Sequence, residues 1–429
     1  MTRVRIEPGD CLEIIPMLVK EGVRVDAIVT DPPYHLTQAS RGGSPRINDP
    51  SKPHGRHRLA DSGFMGKQWD GGDIAFRPET WRHCLKILKP GGHLLAFGGP
   101  RTFGFVQVAI AEAGFEIRDT VLWLFGSGFP KSHDVSKAID RAAGIEREVV
   151  GKSNRHGGGI VGAGTSYEIS PEVPDITAPA TEAARQWQGW GTALKPAAEF
   201  IVQARKPLSE KTIAANVLEH GTGALNIDGC LVEGPMDGVW GTSNKTVSED
   251  RIFNASPDRN DYRTKPRPGG RWPANVIHDG SPEVLEAFAR FGNAGASGKA
   301  SGPTLTGKSE RNCMAGPFGG TDHDPAFYGD TGTAARFFYS AKADAADRLG
   351  SKHPTVKPVD LIAYLCRLVT PPGGTVLDPF AGSGTTAMAC LREGFECILI
   401  EREAEYIADI RRRLDHVSGA DTPLFSRPD

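Results

Sequence analysis

The chain has 429 residues, enough to bury a sizeable core and to hold more than one folding unit. With 39% hydrophobic residues, 24% charged residues and a formal net charge of -2, it is ordinary for a globular protein and is not a polycation that holds nucleic acid by bulk charge. Its seven cysteines are scattered without a C-x-x-C pair, no apolar run approaches the ~20 residues of a membrane span, and the opening MTRVRIEPGD has no apolar stretch of the secretory kind. These features argue against a zinc site, a disulfide framework or a membrane anchor, and they fit a cytoplasmic protein.

In chain order, Val4–Ile6 is predicted as a strand and Asp10–Lys20 as a helix with Leu12, Ile15 and Leu18 on one face. Asp26–Thr30 reads as a buried strand that runs straight into Asp31-Pro32-Pro33-Tyr34. Residues 79–89 follow as a helix stopped by Pro90-Gly91-Gly92, and His93–Phe97 as another buried strand. A helix over Phe103–Ala113 and a strand over Glu116–Phe125 complete this part. Strand alternating with helix at this rhythm calls for a parallel sheet covered on both faces.

From about residue 151 to 340 the periodicity breaks down. Glycines cluster at Gly157–Gly159 and Gly292–Gly302, and a Pro/Arg-rich stretch spans Lys265–Arg271. A pure linker of this length would be unusual, so an inserted region with several long loops is expected, and the two flanking parts would form one sheet without it. Regular alternation then returns: Val359–Leu368 as helix, Thr375–Asp378 as strand, Thr385–Glu393 as helix, Glu396–Glu401 as strand and Glu403–Leu414 as helix. A polar tail from Val417 closes the chain. The expected fold is α/β, a doubly wound, mostly parallel, Rossmann-like sheet. It would be built from residues 1–135 and 341–416, with an insertion over 136–340 and a flexible tail over 417–429.

The glycine-rich stretch Val376–Thr386 carries the strongest signal. A strand ends at Asp378, the turn Phe380-Ala381-Gly382-Ser383-Gly384 follows, and a helix opens at Thr385. Such a turn lets backbone N–H groups approach a ligand closely. No G-K-[ST] follows, so a phosphate loop of the nucleotide-hydrolase kind is disfavoured, and the spacing is not G-x-G-x-x-G. Taken alone, the stretch equally fits a plain strand-to-helix turn. What raises it is Glu401, which ends the next strand about 20 positions on, where a doubly wound fold holds a ribose diol. The pair favours an adenosine-containing cofactor.

Thr30–Tyr34 forms the second signal. Consecutive prolines fix an extended backbone, donate no N–H and leave the Pro32 carbonyl free to accept. Asp31 sets a carboxylate beside it, and Tyr34 adds a flat ring. Two acceptors and a stacking face suit a planar base that carries an exocyclic NH2. A proline turn after a strand is the competing reading.

The two motifs together resemble those of the amino-group DNA methyltransferases, and their order, catalytic motif first and cofactor motif last, resembles the permuted beta class. His353-Pro354-Thr355-Val356-Lys357-Pro358 and Gly9-Asp10-Cys11 are similar to further cofactor segments of that class. Gly128-Phe129-Pro130-Lys131 and Lys195-Pro196-Ala197-Ala198-Glu199 resemble stretches of phage-type members. The resemblance covers roughly 1–135 and 340–415 well and the middle poorly. It implies S-adenosyl-L-methionine as cofactor and double-stranded DNA as partner, and it allows a homodimer and a cognate restriction enzyme.

By this resemblance Asp31, Pro32, Pro33 and Tyr34 form the catalytic set, in which Asp31 and the Pro32 carbonyl hold the target amine and Tyr34 stacks on the extruded base. The cofactor set comprises Asp10, Asp31, His353, Thr355, Lys357, Asp378, Phe380, Gly382, Ser383, Gly384, Thr385 and Glu401. Asp10 would meet the adenine, Glu401 the ribose, and His353, Thr355 and Lys357 the methionine carboxylate. A helix N-cap is the rival role for Asp10, and a cap histidine for His353. Asp at the first catalytic position points to N6 of adenine, with N4 of cytosine as the alternative. A catalytically silent DNA-binding relative, or a methyltransferase acting on RNA or a protein glutamine, would be the readings of other kinds. Nucleophilic cysteine chemistry at cytosine carbon 5 is disfavoured, because no cysteine follows a proline at the strand tip.

Basic residues after Tyr34 (Arg41, Arg46, Lys52, Arg56 and Arg58) and a second basic stretch (Arg259, Arg263, Lys265, Arg267 and Arg271) are expected to contact DNA phosphates, a solvated surface loop being the other reading of the first.

Overall fold

The computed structural model describes residues 4–35, 72–126, 128, 132–152, 160–161, 168–169, 175–234, 270–292, 332–341, 345–351, 353 and 355–419. The basic loop after Tyr34 and the second basic stretch up to Arg267 lie outside these residues, as do Phe129 to Lys131.

Strand β1 (Val4–Pro8) leads into helix α1 (Cys11–Lys20), whose N-cap Asp10 accepts the Leu12 N–H at 2.8 Å. Strand β2 (Val25–Thr30) follows, then α2 (Pro78–Ile87), β3 (Leu88–Gly98), α3 (Phe103–Glu112) and β4 (Glu116–Leu124). The middle of the chain adds α4 (Val135–Ala142), a pair of two-stranded ribbons and α5 (Glu182–Gln186). The ribbons pair β5 (Val149–Lys152) with β8 (Asp175–Thr177), and β6 (Ile160–Val161) with β7 (Glu168–Ile169). It continues with β9 (Ala198–Arg205), α6 (Ile213–His220), β10 (Val276–His278), α7 (Pro282–Ala289) and β11 (Tyr339–Ser340). The C-terminal part supplies α8 (Val359–Val369), β12 (Thr375–Asp378), α9 (Thr385–Glu393), β13 (Glu396–Glu401) and α10 (Ala404–Gly419).

Nine strands form one sheet in the order β1-β13-β12-β2-β3-β9-β4-β10-β11. All neighbours are parallel except β9, which runs antiparallel to both β3 and β4. The fold is therefore α/β with a mostly parallel sheet, as its alternating pattern demands. Both faces are covered. Ala27, Val29, Val376 and Leu399 join the core under α8 and α9, while Ile28, Leu377 and Ile398 join the core under α1, α2 and α3. This double burial explains why β2 reads as a continuous apolar run and not as an alternating one: all six of its residues are buried.

Three sheet strands come from the middle of the chain, where periodicity alone predicts long loops. Strand β9 is central, not peripheral, so the flanking parts alone would leave β3 and β4 unpaired with each other. The sequence expectation also differs at Pro90-Gly91-Gly92. These residues do not stop α2 before a separate strand; they form an irregularity inside β3, whose pairing with β2 shifts register between Val25 and Ala27. Helix α10 reaches Gly419, past the start expected for the tail.

Candidate active site

Parallel strands present their C-terminal ends at one edge, and here the tips of β1, β13, β12, β2 and β3 converge. Because β9 is antiparallel, its N-terminal end arrives at that same edge: Glu199 lies opposite Trp123, and Phe200 opposite Gly98. Together these tips wall a cavity of about 1060 Å³. A volume of this order holds a nucleoside-sized cofactor with room for a second ring.

The glycine loop between β12 and α9 forms one wall. Asp378, buried at the tip of β12, accepts from the hydroxyls of Thr30 and Thr386, each at 2.6 Å, and from the Phe380 N–H at 3.1 Å. It thereby ties the end of β2 to the end of β12. Burial pushes its carboxyl up to about 6, against the pull of those hydrogen bonds. Ala381 N–H reaches the Ile400 carbonyl at 3.0 Å, and Gly382 N–H reaches Glu401 Oε2 at 2.7 Å. The other Glu401 oxygen accepts the Glu403 N–H at 2.8 Å. Burial raises the Glu401 carboxyl, and the backbone donors oppose it.

Gly382 has φ +51, and a Cβ there would stand 3.2 Å from His353 Nε2. Only glycine fits this turn against the imidazole without strain. The His353 ring packs edge-on against Tyr406, with centroids 4.6 Å apart, and its Nδ1 lies 3.1 Å from the Thr355 carbonyl. Burial depresses its pKa, against the pull of the Thr355 carbonyl and of Asp31. His353 does not cap α8, whose N-cap is Pro358.

The opposite wall is the tip of β2. Lys357 Nζ donates to Asp31 Oδ2 at 2.5 Å and lies 3.4 Å from Glu199 Oε2, an ion pair without hydrogen-bond geometry. The ammonium also stands 5.3 Å from the centre of the Tyr34 ring and 5.1 Å from that of Phe97. Although burial pulls the Lys357 pKa down, Asp31 and Glu199 together hold it above its ordinary value. Burial raises Glu199 and Tyr34, and the charge of Asp31 adds to both shifts. Gly99 lets the Tyr34 ring lie against the backbone, since a Cβ there would be 3.0 Å from Tyr34 Cδ2. Three buried oxygens at this wall have no hydrogen-bond partner within the protein: Asp31 Oδ1, the Tyr34 hydroxyl and Glu199 Oε2. Buried polar groups are rarely left so, and these three lie close to one another and to Lys357, which makes this wall polar where the others are apolar or satisfied.

Of the residues singled out from sequence, Asp10, Asp31, Pro32, Pro33, Tyr34, His353, Thr355, Lys357, Asp378, Phe380, Gly382, Ser383, Thr385 and Glu401 all border this one cavity. Gly384 does not. It caps α9 in the left-handed region, and a Cβ there would strike Ile410, so its smallness serves packing with α10. Asp10 caps α1 and also borders the cavity. Lys357, expected at a cofactor carboxylate, borders the cavity and grips Asp31. Sequence reasoning gave no role to Glu199, although its Lys195–Glu199 stretch had been singled out. It missed Tyr406 and Arg413 altogether. Arg413 is buried and donates to the Ser383 carbonyl and, at 2.6 Å, to the Asp347 carbonyl, bracing the glycine loop from beneath. A lone arginine in an amphipathic helix gives no signal of such a role.

Fold and cavity together define an α/β protein with a nucleoside-sized site at its strand tips, acceptors at one wall and a glycine loop at the other. Residues 25–412 match the DNA methylase family N6_N4_Mtase, and the chain belongs to that family. It is similar to the type II methyltransferase M2.DpnII of Streptococcus pneumoniae, at 41% identity over 69 residues, which is 16% of this chain and 26% of the relative. It is also similar to the DNA adenine methyltransferase YhdJ of Escherichia coli K12, at 46% identity over 66 residues, 15% of this chain and 22% of the relative. The chain thus spans about a quarter of the length of these curated relatives. Among solved structures, the M1.HpyAVI–SAM complex aligns over 96% of this chain and 99% of its own, with 15% identity and a TM-score of 0.40. The cytosine-N4-specific PvuII DNA methyltransferase aligns over 98% and 88%, with 14% identity and a TM-score of 0.41. Among the described residues, no helix is long and apolar enough to cross a membrane.

Proposed function

We propose that the chain moves the methyl group of S-adenosyl-L-methionine to N6 of adenine at a specific site in double-stranded DNA. One observation carries this reading: Asp31 and Tyr34, whose Oδ1 and hydroxyl are buried without a hydrogen-bond partner, line the same cavity as the Gly382–Glu401 wall. One wall fits a nucleoside with a charged tail; the other fits an amine. Adenine is preferred over cytosine because an aspartate opens the catalytic motif, in keeping with the local identity to a DNA adenine methyltransferase.

Glu401 takes the ribose hydroxyls and Asp10 the adenine of the cofactor, while His353, Thr355 and the Phe380–Ser383 turn surround its methionine part. When bound, the cofactor supplies an electrophilic methyl on a sulfonium. Everything else falls to the protein. An exocyclic amine is a poor nucleophile because its lone pair is delocalised into the ring. Asp31 and the Pro32 carbonyl accept from its two hydrogens and turn the lone pair out of the ring plane, while Tyr34 fixes the plane of the base. Catalysis is then positioning and charge stabilisation with no covalent enzyme intermediate. The base must leave the duplex to enter, at a cost of about a few kcal/mol that stacking offsets. The middle of the chain outside β9, with its basic stretch from Arg259 to Arg271, and the basic loop after Tyr34 are assigned to target recognition.

The test is base-resolution sequencing of DNA from cells that express the chain, beside an Asp31→Ala control. N6-methyladenine at one recurring sequence, absent from the control, is the expected result. N4-methylcytosine would move the assignment to the other amine, and unmodified DNA would end it.

A further inference from the structure

Glu199 is part of neither defining motif, yet the antiparallel β9 delivers it to the reaction wall. It is an expensive residue for that place, because a buried carboxylate is disfavoured unless something holds it charged or protonated. Packing alone would be served as well by Gln. What surrounds it is a shared cation: Lys357 Nζ lies 2.5 Å from Asp31 Oδ2 and 3.4 Å from Glu199 Oε2. The titratable groups facing Glu199 are Asp31 and Tyr34 from the β2 tip and Lys357 from the segment entering α8, with Arg101 and Lys195 further along the cavity wall. Its neighbours in the sheet are apolar.

A single ammonium closed on Asp31 alone would withdraw its negative charge and leave Oδ1 a weak acceptor. A second carboxylate competing for that ammonium counters the effect. We propose that Glu199 is a positioning residue for methyl transfer: by sharing Lys357 with Asp31, it keeps the ammonium on Asp31 Oδ2 and leaves Oδ1 to take the proton that the amine must lose. The inference rests on the reaction proposed above. In that reaction the nitrogen lone pair forms the N–C bond, the methyl–sulfur bond breaks and its electron pair goes to sulfur. One N–H bond then breaks, its pair stays on nitrogen, and the proton passes to Asp31 Oδ1. A positive sulfonium and a negative carboxylate are replaced by a neutral thioether and a neutral acid.

The experiment is single-turnover transfer from labelled S-adenosyl-L-methionine to unmethylated genomic DNA, from about pH 5 to about pH 9. Wild type, Glu199→Gln and Glu199→Asp are compared, with cofactor affinity and thermal melting measured on the same preparations. Glu199→Gln is expected to slow transfer by about tenfold or more with cofactor affinity unchanged. Its acidic limb should move to lower pH, because a buried carboxyl held above its ordinary value has left the shared ammonium. Glu199→Asp, with a shorter reach to Lys357, should shift the limb in the same direction by less and lose less rate; it carries the test should the Gln variant not fold. A slowed variant whose acidic limb stays in place would mean a packing role and overturn the proposal. So would rates equal to wild type. No transfer by the wild-type chain would overturn the methyltransferase reading and this inference with it, whereas transfer that Glu199→Gln matches would remove the inference alone.

Discussion

The two walls of the cavity are built by opposite means. At the glycine loop the polar groups are satisfied by the protein itself: Glu401 accepts two backbone N–H groups, and Asp378 accepts two hydroxyls and one N–H. At the β2 tip the side chains are crowded by charge yet left short of hydrogen bonds, with unfilled oxygens on Asp31, Tyr34 and Glu199. A satisfied wall is rigid and shaped in advance, which suits recognition of a cofactor that is the same in every turnover. An unsatisfied wall holds its strongest interactions in reserve for the reacting group, which is where preorganised polar groups gain most. The contrast predicts that substitutions at the two walls separate into binding effects and rate effects.

The largest effect is expected from Asp31→Ala. Single-turnover transfer should fall by roughly 10²–10⁴-fold, the range for a positioned acid–base group, while S-adenosyl-L-methionine affinity measured by titration stays near that of wild type. Loss of cofactor affinity in the same variant would erase the division between the walls.

Next comes Glu401→Ala. It removes the acceptor of Gly382 N–H and the proposed ribose contact together, and hydrogen bonds to a charged group contribute about 1.5–3 kcal/mol each. Cofactor affinity should drop, with the rate at saturating cofactor little changed. Gly382→Val should act in the same direction, because the turn at φ +51 and the nearby His353 leave no room for a branched side chain. Equal affinity in wild type and Glu401→Ala would remove Glu401 from the site.

A smaller effect is expected at Tyr34. Tyr34→Ala should weaken the hold on the flipped base by ~1–3 kcal/mol for lost stacking, read from binding to DNA that carries a fluorescent base analogue. Tyr34→Phe, which keeps the ring, should retain much of the activity. If Phe is as damaging as Ala, the hydroxyl among Asp31 and Glu199 matters more than the face.

How far this was legible in the sequence differs between the walls as well. The glycine loop could be read because its chemistry is local: a strand, a turn with glycines and a helix follow one another in Val376–Thr386, and Glu401 ends the next strand. Helix and strand bounds at Thr375–Asp378, Thr385–Glu393 and Glu396–Glu401 agree with the structure residue for residue. The reaction wall could be read only in part, because it is assembled from remote segments. The Lys357–Asp31 contact joins residues separated by 326 positions. Glu199 reaches them only through the antiparallel insertion of β9. Periodicity in one sequence carries no information about such pairings, so β9, though central to the sheet, was hidden in a region whose glycine and proline content drew it toward loop.

Asp378 gives the smallest effect and the sharpest test of how the walls are joined, since it ties the two strand tips through Thr30 and Thr386. Burial holds its carboxyl at about 6, above the ordinary 3.8, and the charge of Asp31 adds to the shift. Between those values the folded chain keeps a proton that the unfolded chain has released. Stability from this group is therefore full below the ordinary carboxylate pKa and declines as pH rises through about 6. Asp378→Asn cannot ionise, so the melting temperature of wild type minus that of the variant should be largest in acid and shrink by a few degrees towards neutral pH. The same pair in an Asp31→Ala background should show a smaller change, because one cause of the shift is gone. A difference that stays flat with pH would deny the burial effect, and one equally steep in both backgrounds would mean that the walls do not feel each other's charge.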